Sequence, residues 1–163
     1  MDYCPHGTLI DLLMAAGEDM LSEEVATHVC KQLLTVLAYI HEKKIAHCDL
    51  KWEQTLLDND FNVKLADFGS AAVNFERRSS WLGTPSYWSP EQHEDGGGYW
   101  SRVDPEKADL FASAVMIHIA FTSKPPFGEA NGGDWFWSRL SRPEKRSQYY
   151  MYEGRYLTPS IEF

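Results

Sequence analysis

The sequence lacks a cysteine framework, because Cys4, Cys30 and Cys48 are its only three cysteines and their spacing suits neither disulfides nor a metal site. We therefore expect reduced thiols and a cytoplasmic location. The N-terminus has no basic segment followed by an apolar core, so no secretory signal is predicted. The most apolar run, residues 108–121, is too short to cross a bilayer and is predicted to be a buried core helix.

Positive charge is also scarce, since 15 Lys and Arg stand against 24 Asp and Glu and the net charge is -9. An acidic surface repels phosphate backbones and anionic lipid, so we predict neither a nucleic-acid nor a membrane partner. What is present is an ordinary globular composition, 44% hydrophobic and 24% charged. The length suits one domain over residues 1–163.

The first part of the chain predicts two capped helices. Thr8 precedes an apolar stretch that stops at Gly17, which indicates a short helix. Ser22 precedes a longer helix that closes at two lysines, residues 43 and 44. Its apolar stripe recurs at helical spacing and comprises Val25, Val29, Leu33, Val36, Leu37 and Ile40.

The remaining elements are predicted from turn residues and caps. Residues 55–57 and 62–65 flank an Asx-rich turn and predict a small antiparallel hairpin. Residues 67–92 have no sustained period and predict one long loop. A helix capped by Asp104 is apolar nearly all round, which predicts burial on all sides, and weaker helical patterns follow in residues 134–140 and 143–152. The predicted fold class is mainly α with a small β-hairpin.

Two carboxylates carry the first chemical hint. Asp49 lies in a polar stretch after the long helix, and Asp67 follows the hairpin. Each alone is more often an ordinary turn residue. A hairpin that folds back would set both beside one site, and phosphoryl transfer needs such a pair, one to orient a hydroxyl and one to hold magnesium. Lys51 could neutralise the transferring group.

Three segments in order identify a family pattern. They are His47-Cys48-Asp49-Leu50-Lys51, Asp67-Phe68-Gly69 and the stretch from Gly83 to Glu91 that ends in Ser89-Pro90-Glu91. Together they resemble the C-terminal lobe of a eukaryotic protein kinase of the serine/threonine type. The resemblance implies a protein-kinase-like C-lobe with a hinge at residues 1–7, a catalytic loop at 47–54 and an activation segment at 67–91.

The resemblance also implies ATP and Mg²⁺ as cofactors, a protein substrate, and roles for particular residues. Asp49 would accept the substrate hydroxyl's proton, Lys51 would touch the γ-phosphate, and Thr84 would brace both. The remaining expected site residues are the metal ligands Asp67 and Gln54, the adenine contacts Asp2 and Cys4, and Leu56 beneath the purine. Asp109 resembles a buried aspartate that anchors the catalytic loop, and a satisfied structural carboxylate is its plain alternative.

The sequence departs from the family pattern at two positions. Cys48 stands where Arg is usual, which removes the usual partner of a phosphorylated activation segment. Gln54 stands where Asn is usual, and its longer side chain displaces the amide oxygen. The 163 residues contain neither a Gly-x-Gly-x-x-Gly loop nor a Val-Ala-x-Lys strand. We therefore expect a family domain truncated at both ends, either a gene-model fragment or a short protein.

Two functions follow. The first is a serine/threonine protein kinase that transfers the ATP γ-phosphate to a protein hydroxyl, with little or no activity expected of the isolated chain. The alternative is a pseudokinase or non-catalytic protein-binding module. That module would use exposed tryptophan anchors, although most tryptophans are core residues; the candidates are Trp81, Trp88, Trp100, Trp135 and Trp137.

Overall fold

The computed structural model describes residues 3–17, 21–76, 83–94 and 103–153. Six helices lie within these ranges: α1 (Leu9–Ala15), α2 (Glu23–Glu42), α3 (Pro90–Glu94), α4 (Pro105–Thr122), α5 (Trp137–Leu140) and α6 (Arg146–Glu153). Four short strands accompany them: β1 (Ile45–Ala46), β2 (Thr55–Leu57), β3 (Val63–Leu65) and β4 (Ala72–Val73). The fold is therefore mainly helical with small antiparallel sheets, which confirms the predicted class.

The first two helices begin where their caps predict. The Thr8 hydroxyl accepts a hydrogen bond from the Asp11 backbone N–H, and the Asp11 carboxylate accepts one from the Thr8 backbone N–H. The Ser22 hydroxyl accepts from the Val25 backbone N–H. The predicted apolar stripe is wrong at Val25, which is exposed, because the helix turns Ala26 inward in its place.

The predicted antiparallel hairpin forms around its Asx-rich turn. Strands β2 and β3 pair antiparallel with Thr55 opposite Leu65. The backbone N–H groups of Asn62 and Asp60 donate to the Asp58 carboxylate in the turn, and these bonds lower the pKa of Asp58 to about 2. Since Asn62 belongs to this turn, the second strand begins one residue later than predicted.

The prediction of one long loop over residues 67–92 is wrong. This segment contains a 3₁₀ turn at Phe68–Ser70, strand β4, a second 3₁₀ turn at Pro85–Tyr87 and helix α3. Strand β4 pairs antiparallel with β1, which the sequence analysis missed. Two-residue strands are too short to show a period, and their partners lie far away along the chain. Residues 77–82 lie outside the described residues.

Helix α4 packs against α2 at the centre of the molecule. It begins at the predicted cap, where the Asp104 carboxylate accepts a hydrogen bond from the Glu106 backbone N–H. Leu110 is half exposed, so the prediction of burial on all sides is wrong for that face. The indole of Trp52 is fully buried and donates a 3.1 Å hydrogen bond to the Met116 carbonyl. No helix in the described ranges is long and apolar enough to cross a membrane.

The last part of the described chain is helical, as its pattern predicted, in two short pieces. Helices α5 and α6 pack on each other around a 3₁₀ turn at Pro143–Lys145. Of the three predicted tryptophan anchors that the structure describes, Trp135 is exposed, while Trp88 and Trp137 are half-buried. The other two anchors, residues 81 and 100, lie outside the described residues.

A buried carboxylate joins α4 to the segment after β1. Asp109 is 1% exposed, and its two oxygens accept hydrogen bonds from the consecutive backbone N–H groups of His47, at 2.7 Å, and Cys48, at 2.8 Å. The imidazole Nε2 of His41 lies 3.0 Å from one of the same oxygens. Cys48 has a φ of 64°, a conformation that costs energy in a non-glycine residue. The carboxylate therefore holds a bent backbone in place.

Replacing Asp109 with Ala should lower the free energy of unfolding by roughly 3 kcal/mol or more, because two buried N–H groups and an imidazole lose their acceptor. Asp109→Asn keeps one acceptor oxygen but turns an amide N–H donor towards the other backbone N–H donor, so it should cost a comparable amount. Urea unfolding followed by circular dichroism measures both. Asp60→Ala, at an exposed turn position, is the control and should change stability by less than about 0.5 kcal/mol. Equal effects at the two positions would contradict the anchoring role.

The half-buried imidazole of His118 should make the free energy of unfolding depend on pH. Burial lowers the pKa of this imidazole on α4 to about 4, whereas an unfolded chain titrates near 6.5. The unfolded state therefore takes up the proton first. The stabilising contribution is complete above about pH 6.5 and is lost as the pH falls towards 4, by about 2 kcal/mol allowing for partial exposure.

Urea unfolding at several pH values should show that His118→Gln flattens the slope between pH 6.5 and 4. The matched control is His28→Gln on the exposed side of α2, which should leave that slope in place. An unchanged slope in the first variant would exclude His118 as its source.

Candidate active site

Three predicted catalytic residues meet in one hydrogen-bonded triangle. The Lys51 ammonium donates to the Asp49 carboxylate at 2.9 Å and to the Thr84 hydroxyl at 2.8 Å. The Thr84 hydroxyl donates to the other Asp49 oxygen at 3.0 Å. Asp49 and Lys51 are 15% and 18% exposed, so the triangle is shielded yet open to a reactant. A carboxylate beside an ammonium in such a place can orient a hydroxyl while the cation balances added negative charge.

Gly83 allows the two segments of this triangle to approach each other. Its φ is +92°, and a Cβ atom built there would lie 2.7 Å from the Cys48 carbonyl oxygen. A side chain would therefore be both strained and in collision with backbone. No role was predicted for this glycine from the sequence; its position directly before Thr84 in the third motif is the signal that points to it.

The hairpin brings Asp67 to the same region. Two contacts hold the base of the hairpin. The Ala66 backbone N–H donates to the Gln54 carbonyl at 2.9 Å, and the His47 imidazole lies 2.8 Å from the Ala66 carbonyl. Asp67 follows with a left-handed backbone and accepts a hydrogen bond from Gly69 N–H at 3.2 Å. The Gln54 side-chain amide donates to its other oxygen at 3.0 Å. The two expected metal ligands are thus in direct contact.

This pair fits a magnesium ion in its donor chemistry. A carboxylate oxygen and an amide oxygen are hard ligands, and Mg²⁺ usually takes only one or two such protein groups together with waters and phosphate oxygens. The described residues contain no cluster of three or more His, Cys, Asp or Glu side chains suited to a metal. A site completed by phosphates does not need one. The amide of Gln54 must turn its oxygen towards the ion in place of the nitrogen now facing Asp67.

The expected nucleotide contacts are only partly brought together. Leu56 is half-buried and forms a bridge to Thr8, beside the segment that contains Cys4. Cys4 is half-buried, and its carbonyl accepts a hydrogen bond from Gly7 N–H. The predicted contact Asp2 lies outside the described residues.

Tyr87 is a site residue that the sequence analysis missed. Burial, and next the negative charge of Glu53, raise the pKa of its phenol to about 12. The half-buried Tyr87 also packs against the hydrophobic core, and a phenol with this pKa keeps its proton as a hydrogen-bond donor at neutral pH. Its place within the third motif was the only hint in the sequence.

Comparison with known proteins agrees with this arrangement. A family model described as the protein kinase domain matches residues 1–156. The maternal embryonic leucine zipper kinase of Danio rerio is 35% identical over 136 residues, covering 80% of this chain and 19% of that protein. Serine/threonine-protein kinase 10 of Danio rerio is 42% identical over 148 residues, covering 77% of this chain and 15% of that protein.

A plant protein, CBL-interacting protein kinase 3 of Oryza sativa subsp. japonica, is 32% identical over 136 residues, covering 80% of this chain and 29% of that protein. The chain therefore spans less than a third of the length of each of these relatives. The match to the family model nevertheless runs through the triangle, the hairpin and the helices that position them. This chain belongs to the protein kinase family.

Proposed function

We propose that this chain forms the catalytic-loop half of a serine/threonine protein kinase, which transfers the γ-phosphoryl group of ATP to a protein hydroxyl. The observation that carries the proposal is the triangle of Asp49, Lys51 and Thr84, with every edge between 2.8 and 3.0 Å. The lysine two residues after the aspartate is the serine/threonine pattern. Relatives whose names include serine/threonine-protein kinase add support.

In this mechanism Asp49 accepts a hydrogen bond from the substrate hydroxyl and receives its proton as the oxygen attacks the γ-phosphorus of ATP, while the bond from that phosphorus to the bridging oxygen breaks and ADP leaves. Lys51 holds positive charge beside the position where the phosphoryl oxygens lie during transfer. Thr84 fixes both groups, because its hydroxyl accepts from the lysine and donates to the carboxylate. The held geometry matters, since a 1 Å displacement can cost about a hundredfold in rate.

Asp67 and Gln54 are the residues that would hold Mg²⁺, and Asp2, Cys4 and Leu56 are the proposed contacts for adenine. Bound Mg-ATP supplies the phosphoryl group and the cation charge that balances it. The buried Asp109 carboxylate holds the backbone at Cys48 and so keeps Asp49 in position. This contact does not need the arginine that the family usually has at position 48 to bind a phosphorylated activation segment. The cytoplasmic location and the protein substrate stay predictions.

A pseudokinase or binding module is the second candidate, and Gln54 favours it. Its amide nitrogen already bonds Asp67, so a metal ion must displace that contact. The 163 residues also lack the family's glycine-rich loop and Val-Ala-x-Lys strand. Since each 1.36 kcal/mol lost from the transition state costs tenfold in rate, we expect the chain alone to transfer phosphate slowly.

Mg-ATP should raise the melting temperature of the chain, because a ligand stabilises the folded state that binds it. Radiolabelled ATP with a generic serine/threonine substrate should give slow phosphate incorporation. Asp49→Asn should lower that incorporation by at least about a hundredfold with the melting shift retained, since the base acts in the chemical step.

Asp67→Asn is the matched variant, with the same change of charge at the metal-binding position. It should abolish the Mg²⁺-dependent part of the melting shift. The kinase proposal fails if wild-type incorporation equals that of Asp49→Asn. A melting shift without Asp49-dependent transfer supports the pseudokinase, and no shift at millimolar Mg-ATP supports the binding module.

Gln54→Asn should increase the Mg²⁺-dependent melting shift. The shorter side chain matches the family pattern, and it should form a weaker hydrogen bond to Asp67 for the metal ion to displace. Gln54→Leu removes the amide and should reduce the shift. Melting curves with ATP, with and without Mg²⁺, separate the metal from the nucleotide contribution. Identical shifts in all three proteins would show that residue 54 is not a ligand.

A further inference from the structure

The segment that joins α5 to α6 carries an excess of positive charge in an acidic protein. Residues 139–146 contain four cations, Arg139, Arg142, Lys145 and Arg146, and one carboxylate, Glu144, for a net charge of +3. With the whole chain at -9, the other residues carry -12. We call these four cations together with Trp135 the basic–aromatic patch.

One cation of the patch is held over an exposed ring. The guanidinium carbon of Arg139 lies 3.6 Å from the centroid of the Trp135 indole. Its Nη1 donates to the Trp135 carbonyl at 2.9 Å and to the Ser138 hydroxyl at 3.0 Å. These contacts hold the guanidinium over the ring, and a cation held in this way loses little entropy when it binds a carboxylate.

Among the side chains that the structure describes, none offers a carboxylate partner to these cations. Within the part of the chain that the structure describes, no Asp or Glu oxygen lies within 4.0 Å of any of the four. Arg142 and Arg146 are exposed, and Arg146 reaches back to donate to the Leu140 carbonyl at 2.9 Å. Their charge is therefore available to a partner.

Aromatic surface continues beside the cations. The Tyr152 ring lies 5.1 Å from the Trp135 ring, and the two are 64% and 42% exposed. Aromatic and arginine side chains together are the commonest energetic anchors of protein interfaces. A complementary surface needs negative charge to face the cations and an apolar side chain to cover the rings.

We propose that the basic–aromatic patch docks an acidic segment of a partner protein, one with an apolar residue among its carboxylates. Charge complementarity carries the choice, since the cations pair with no carboxylate of the described residues and lie beside exposed rings, and both features match such a segment. The -12 carried elsewhere would repel a phosphate backbone or an anionic bilayer, which present charge over a much wider area. The site lies outside the catalytic triangle and does not depend on kinase activity.

The probe is a fluorescein-labelled peptide of glutamates around one central Leu-Phe pair, titrated with the full chain by fluorescence anisotropy. Binding should weaken as salt rises. Arg142→Glu should weaken it about tenfold or more, and Trp135→Leu several-fold. Lys31→Glu makes the same charge change on the exposed side of α2 and should alter binding less than about twofold. Melting curves check that each variant folds.

Several results would overturn the proposal. Equal loss in the Arg142 and Lys31 variants would show a response to overall charge, and equal binding of a peptide with lysines in place of glutamates would show a merely apolar contact. Tighter binding to phosphatidylserine vesicles or to an oligonucleotide would assign the patch to those partners. Sedimentation that shows Arg142-dependent self-association would assign it to a second copy. A peptide with phosphoserines in place of glutamates tests whether phosphate or carboxylate is the better anion, and either preference supports docking of an acidic segment.

Discussion

A single buried carboxylate organises the centre of this molecule. Asp109 binds two consecutive backbone N–H groups and lies against the His41 imidazole, so it joins α2, α4 and the catalytic loop at one point. A carboxylate buried this deeply is tolerated only when its oxygens are hydrogen-bonded, and the same bonds hold the backbone and the imidazole that donate to it. The bend at Cys48, directly before Asp49, depends on this contact.

The catalytic triangle adds a second constraint, which is close approach between segments distant along the chain. Gly83 lets the backbone before Thr84 pass against the Cys48 carbonyl, and Thr84 then reaches both Asp49 and Lys51. Because the opposite charges of Asp49 and Lys51 are shielded from water, their remaining hydrogen-bond donors and acceptors need a third partner, which is Thr84. The same approach would fail with any larger residue at position 83.

Local patterns predicted most of the helices. The caps at Thr8, Ser22 and Asp104 and the Asx turn at Asp58 act within four residues, so the sequence displays them directly. The β1–β4 pair was missed, because strands of two residues have no period and their pairing is decided by packing. The exposed faces of α2 and α4 were misjudged for a related reason, since hydrophobicity alone does not say which neighbour covers a side chain.

The sequence by itself determined which residue types stand in the three motifs and their order, because the proposed phosphoryl transfer admits few substitutes for Asp49, Lys51 and Asp67. Only the tertiary structure decided which side chains meet. It placed the Gln54 amide on Asp67 and packed the half-buried Tyr87 against the hydrophobic core. It also set the guanidinium carbon of Arg139 3.6 Å from the centroid of the Trp135 ring. Such contacts depend on rotamers and on the burial of neighbouring groups, and both are fixed only when the whole core has packed.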